Sequence, residues 1–254
     1  MDLKYLDKKT LTSISRDEFQ AQTPYPWANP YGILTDWGYN ELANHMPNIA
    51  FFEKDFGSQR KYGQTSHDRY RFWYQKTKGE IPLPWQEFIS ELNGPEYRQF
   101  IETLMGVKRF DLRLEWHYTV AGCSVSPHLD GVSTIGTHLF YFNLPEEWDK
   151  AWGGETLVLD ERDKKFDMQS APTFEDFGIT EVEHIGNYSS LFQNQENAWH
   201  GVRELVSPPG TFRKLFTVFI EEPVPPLQKY KNQMTTIVRR LKNVFAISNK
   251  AQQS

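Results

Sequence analysis

The chain has 254 residues, 15% of them aromatic, and a formal net charge of -5. That length suits one large domain or two small ones, and the aromatic content supplies a sizeable core and excludes a disordered chain. The acidic balance argues against a general nucleic-acid binder, and the single cysteine, Cys123, excludes an internal disulfide framework and fits a reducing cytosol.

The N-terminal stretch has no apolar signal core, and no window approaches a membrane span, so a cytoplasmic location is expected. Residues 1–108 read as a helical and loop support region. DWGYNELANHMP (36–47) and PWQEFISELN (84–93) have helical spacing, and PEYRQFIETLMG (95–106) is a helix ended by glycine. The turn-rich 57–83 stretch between them reads as loops with one short strand.

Residues 109–222 read as strands. FDLRLEWHYTV (110–120) alternates, with Phe110, Leu112, Leu114, Trp116, Tyr118 and Val120 on one face and Asp111, Arg113, Glu115, His117 and Thr119 on the other. The apolar face is expected to point inward and His117 to be solvated. THLFYFNLP, GETLVLD, YSSLFQN, NAWHGVREL and FRKLFTVFIEE are further short strands. With no long helix between them, an antiparallel double sheet or barrel is expected. Residues 223–254 read as a Pro-rich linker and an amphipathic helix with an apolar stripe and several basic residues. Its stripe fits packing on its own barrel or on a twin subunit in a homodimer; a membrane or acidic-partner surface is the alternative.

Chemistry concentrates in PHLDGVSTIGTHLFYFN (127–143). In a strand, residues two apart share a side, so His128 and Asp130 project together. His200, seventy residues after Asp130 and on another expected strand, is the third candidate ligand. Two imidazoles and one carboxylate make the facial triad of non-haem Fe(II) sites, which leaves positions open for substrate and oxygen. Arg213 heads an otherwise apolar strand face with Leu215, Thr217 and Phe219. If it points inward it needs an anionic partner, and its planar fork suits a carboxylate; otherwise it lies at the exposed strand end. His138 falls opposite Tyr141 and reads as structural or exposed. His45, His67 and His184 have no partner spacing, and Cys123 has no base beside it.

Taken in order, His128-Leu-Asp130, the aromatic strand ending in Asn143, Trp152-Gly-Gly-Glu-Thr156, Trp199-His200-Gly and Arg213-Lys-Leu-Phe-Thr217-Val resemble the prolyl-hydroxylase-like 2-oxoglutarate/Fe(II) oxygenases. The resemblance covers roughly residues 108–221. It implies a mostly β fold, a double-stranded β-helix (jelly roll) with flanking helices, and iron held by His128, Asp130 and His200. It also implies that Arg213 and Tyr141 bind the far carboxylate of 2-oxoglutarate, that Tyr118 is a further cosubstrate contact, and that oxygen is the oxidant. Trp199 and Phe219 are expected as pocket walls and Asn194 as a lining residue. The presence of Asp130 favours hydroxylation over halogenation. The substrate is expected to be a small molecule, such as an amino acid or other metabolite. A protein prolyl residue is the alternative within the class, and a metal-binding jelly-roll sensor without turnover is the alternative outside it.

Overall fold

The computed structural model describes residues 3–60, 63–77, 81–167 and 169–223. The linker and helix expected over 223–254 fall, beyond Pro223, outside the described residues. Residues 1–221 form one compact unit, so the expected support region and strand region are a single body.

Helices come first, and their ends are written in the sequence. In α1 (Lys8–Ser13) the Asp7 side chain caps the first turn, and in α2 (Arg16–Gln20) Ser15 does so. Thr35 caps α3 (Asp36–Asn44), and α4 (Tyr74–Thr77) is a single turn. In α5 (Leu83–Leu92) and α6 (Pro95–Met105) a proline occupies the first turn, where its missing N–H costs nothing. Gly106 then ends α6 at φ +71°, the left-handed cap that glycine adopts without strain.

Among the described residues, eleven strands form two antiparallel sheets. The larger has the order β1-β9-β6-β11-β4-β3-β2, and the smaller β5-β10-β7-β8. The larger contains β1 (Trp27–Ala28), β2 (Glu53–Asp55), β3 (Arg69–Trp73), β4 (Asp111–Thr119), β6 (Thr134–Tyr141), β9 (Ser189–Gln193) and β11 (Arg213–Glu221). The smaller contains β5 (Val125–His128), β7 (Leu157–Asp160), β8 (Gly178–Glu181) and β10 (His200–Val202). Three strands of the larger sheet therefore come from the N-terminal region that sequence reading assigned to support.

The two faces of the larger sheet have different partners. On one, Phe72, Trp116, Phe216 and Phe140 stand level across β3, β4, β11 and β6. This face packs on the helices: Trp85 of α5 is fully buried, with ring centroids 5.1 Å from Trp116 and 4.9 Å from Phe216. At Gly136 a Cβ would lie 2.5 Å from the Met105 Cε of α6 and 2.7 Å from the Phe192 carbonyl of β9, so the strand has no room for a side chain there. The apolar face of β4 thus turns toward the helices. The sequence-based expectation that it points into the barrel is reversed, because the helical layer offers the larger apolar surface to cover.

His138 sits in that helix-facing core, fully buried, with Nδ1 3.0 Å from the Tyr97 hydroxyl. Its Nε2 has no partner, so a second ring proton would have no acceptor. Burial pushes its pKa down from 6.5 to about 3. A depressed histidine pKa means that the unfolded chain takes up the proton first as pH falls through 6.5. Stability is therefore lost on acidification between about 6.5 and 3, at up to about 1.4 kcal/mol per pH unit per proton. Urea unfolding of His138→Leu at pH 7 and pH 5 is expected to show a slope shallower than wild type by about one proton; equal slopes would refute this origin.

Candidate metal and cosubstrate site

The cavity lies between the sheets, with a volume of about 410 Å³. Alternation delivers its wall. Arg71, His117, Leu215 and Tyr141 stand level across β3, β4, β11 and β6, and Trp73, Glu115, Thr217 and Leu139 form the next level. All of these except Tyr141 line the cavity, as do Arg113, Phe219 and Thr137 one level further on.

The smaller sheet supplies the histidines. His200 of β10 pairs with His128 of β5, and the rings sit 4.2 Å apart, centroid to centroid. Each Nδ1–H donates to a backbone carbonyl two residues back: His128 to Ser126 at 3.0 Å and His200 to Ala198 at 3.0 Å. That fixes the tautomer and leaves both Nε2 lone pairs free. These nitrogens lie 3.9 and 3.8 Å from Asp130 Oδ1, while Asp130 Oδ2 accepts from the Thr137 hydroxyl at 2.7 Å. Ligand atoms of all three residues fall within 4.8 Å of one another. Burial, then His200, His67 and Arg60, hold His128 well below its usual pKa, so it stays neutral. Two imidazoles with free Nε2 lone pairs and one oriented carboxylate, with no fourth protein ligand among the described residues, fit a divalent metal with open positions.

A supporting chain stands behind His128. Arg60 donates to His67 Nδ1 at 2.7 Å, and the Nε2–H of His67 donates to the Ser126 hydroxyl at 3.1 Å. The His67 ring meets His128 edge-on at 4.6 Å. Burial and the Arg60 charge lower His67 to about 3. Sequence reading saw no role for His67, because Ser126 and His128 lie about sixty positions along the chain and Arg60 sits in a stretch read as loop.

The other end of the cavity is built around Arg213, which is 4% exposed. Its Nε donates to the Gly154 carbonyl at 2.5 Å, and its Nη2 is buried with no partner. A Cβ at Gly154, where φ is +104°, would lie 3.0 Å from Arg213 Cδ, so this glycine opens the cradle the guanidinium lies in. Asn143 holds the strand beside it, donating to the Phe212 carbonyl at 2.8 Å and accepting from the Lys214 N–H at 2.7 Å. Tyr141 lies 5.9 Å from the guanidinium and donates to the Thr156 hydroxyl at 2.8 Å. A buried cation that lines a cavity and has one N–H group without a partner fits an anionic ligand group.

No protein-family model matches the sequence, and no curated protein matches it. Solved structures do. A prolyl-4-hydroxylase of Pseudomonas putida is 13% identical, with a TM-score of 0.57 over 84% of this chain and 100% of that one. A prolyl hydroxylase of Trichoplax adhaerens, in complex with a hypoxia inducible factor peptide fragment, is 12% identical, with a TM-score of 0.56 over 84% and 90%. The epimerase SnoN, in complex with Fe3+, alpha ketoglutarate and nogalamycin RO, is 13% identical, with a TM-score of 0.53 over 85% of each chain. The chain has the prolyl-hydroxylase-like 2-oxoglutarate oxygenase fold.

Within this oxygenase fold the expected site residues divide. His128, Asp130, His200, Arg213 and Phe219 line the cavity, and Tyr141 stands at its Arg213 end. Tyr118 does not join them: it lies on the outer face, stacks on Phe52 at 4.3 Å and donates to the Pro47 carbonyl at 3.0 Å. Trp199 points away too, packed on Phe177 with its N–H on Glu161 at 2.7 Å. Asn194 braces the β5–β6 turn through the Gly131 and Thr134 carbonyls instead of lining the pocket. His117 is buried in the wall and not solvated. Its Nε2–H donates to Glu115 at 2.8 Å, and Arg113 donates to the other Glu115 oxygen. Burial lowers His117 to about 4 and would raise Glu115, but His117 and Arg113 hold that carboxylate down at about 2.

Thr137 fixes the rotamer that keeps Asp130 Oδ1 turned to the histidines. Thr137→Val is expected to weaken Mn(II) or Co(II) binding by about 10–100-fold in titration calorimetry, and unchanged affinity would contradict this.

Proposed function

We propose that the protein is an Fe(II)- and 2-oxoglutarate-dependent oxygenase that hydroxylates a C–H bond of a small molecule, with release of succinate and CO2. The observation that carries the reading is the pairing, in one cavity, of an open His128-Asp130-His200 triad with the unsatisfied buried guanidinium of Arg213. A site for metal alone has no need of a second, cationic anchor set in a glycine cradle.

His128, Asp130 and His200 would hold the iron, and Arg213 would take the far carboxylate of the cosubstrate. Tyr141 supports that end, with its hydroxyl on Thr156 and its ring beside the guanidinium. When bound, the iron and 2-oxoglutarate supply the oxidative chemistry. The chain's own residues bind, orient and exclude water. His128 and His200 keep their Nδ1 protons on backbone carbonyls, so neither is a free proton donor toward substrate. Leu139, Leu215, Phe192 and Phe219 make the apolar part of the wall, and Trp73, His117 and Glu115 the polar part.

His200→Ala is expected to abolish both the visible charge-transfer band formed with Fe(II) and 2-oxoglutarate under anaerobic conditions and succinate formation in air. Arg213→Leu should leave metal binding intact while raising the 2-oxoglutarate concentration for half-maximal band about 10–100-fold. Gly154→Ala should act in the same direction, through displacement of Arg213. A wild-type protein that forms neither band nor succinate would favour a metal-binding protein without turnover.

A further inference from the structure

We propose that the β3 wall of the cavity is a second anion-binding subsite, formed by Arg69 and Arg71, and that the substrate is an organic carboxylate held there. The inference rests on the oxygenase reading and names the substrate class of that same site.

Of the described residues that line the cavity, five are arginines and three are carboxylates, a formal balance of 5 − 3 = +2 in a chain whose net charge is -5. Fe(II) and doubly charged 2-oxoglutarate would cancel each other, so the excess would remain after both have bound. It is also localised. Arg213 is set in the Gly154 cradle, Arg113 is paired with Glu115 and Glu221, and Arg60 is spent on His67 and Gln64. That leaves Arg69 and Arg71.

Both are cavity residues of β3, two apart and therefore on one side of the strand. The Nε of each is buried without a hydrogen-bond partner. Arg69 has no ion pair at 4.0 Å or less among the described residues, and Arg71 reaches only Asp55, at 3.7 Å. The nearby carboxylates are committed only in part: Asp55 and Glu53 of β2 stand opposite Arg69 and Arg71, and Asp55 Oδ1 accepts from the Ser58 hydroxyl. Both Glu115 oxygens accept, from Arg113 and His117, and Asp68 Oδ1 accepts from the Gly57 N–H and the Ser66 hydroxyl. Two half-buried guanidiniums side by side, short of acceptors, repel each other; burial first, then the Arg71 charge, lowers the Arg69 pKa. A carboxylate bridging them would relieve both costs and accept from their planar forks. Arg71 also lies 4.7 Å over the Trp73 ring, which is itself in the cavity wall, so the substrate body would run from the arginines along Trp73 toward the triad.

The test uses acid and amide pairs of one shape: 3-phenylpropanoate with 3-phenylpropanamide, and N-acetylphenylalanine with its amide. Each is titrated into the full chain by tryptophan fluorescence, with and without Fe(II) and 2-oxoglutarate under anaerobic conditions. Each acid is expected to bind at least about tenfold more tightly than its amide. Arg69→Met and Arg71→Met should remove that preference, and Arg71→Lys should restore part of it; thermal melts check that each variant is folded. Equal binding of acid and amide, or no binding of either in both pairs, overturns the proposal. So does loss of the 2-oxoglutarate band in Arg69→Met with the acid preference intact, which would assign that arginine to the cosubstrate. Absence of the band in wild type sinks the oxygenase reading separately, since the acid preference is also read without metal or cosubstrate.

Discussion

The pairing of β11 on both of its edges is the constraint on which the rest depends. Along Leu215–Ile220 it is bonded to β4 on one side and β6 on the other. Because side chains alternate, a slip of one residue would exchange the two faces completely. Phe216, Val218 and Ile220 would then enter the cavity, and Arg213 would be driven against apolar surface at a cost no helix residue there could offset. The helices enforce the register from one side, because Trp85 and Phe88 of α5 close on Phe216 and leave no room for a polar side chain. The site is therefore a consequence of how the opposite face packs.

Electrostatics of the cavity follow from the same geometry. A buried arginine is costly, and the chain keeps one by giving it a carbonyl at Gly154 and a fixed strand position through Asn143. Desolvation holds His128 and His117 neutral, which suits ligation by His128 and removes the cost of charged rings between the sheets. Part of the retained charge is paired, as in Arg113–Glu115 on β4, where His117 donates to the same carboxylate. The Nη2 of Arg213 is among the buried polar atoms left without a partner.

Much of this was legible in the sequence. The alternation of β4 and β11 identified them as two-faced strands, and the spacing of His128, Asp130, His200 and Arg213 pointed to the residues that converge. The side on which the site lay was not legible for β4. An alternating strand states that its faces differ but not which one meets the helices, and a polar face lining a cavity has the same pattern as one facing water. That ambiguity misplaced Tyr118 and His117 together. Trp199 and Asn194 were misassigned for a different reason: sequence proximity to His200 and to β9 says nothing of direction when each neighbouring residue turns the other way. The four-residue strands β5 and β8 were too short to show a period, and the Arg60–His67–Ser126 chain joins residues up to sixty-six positions apart.

The division of labour between the sheets explains why the site is formed before any ligand is added. The smaller sheet carries both histidines on adjacent strands, where pairing fixes their separation. The larger sheet carries Arg213 and Thr137. Asp130 belongs to neither sheet: it lies in the turn between β5 and β6, and its bond to Thr137 ties the turn to the larger sheet while its other oxygen faces the histidines of the smaller. The carboxylate thus holds a hydrogen bond to one sheet and a ligand position toward the other. Its orientation depends on the spacing of the two layers, which the helix-facing core sets from behind through β6 and β11. Metal geometry and core packing are then not separate designs in this fold, because the side chain that completes the triad is positioned by a hydroxyl on a strand whose other face is buried under α5 and α6.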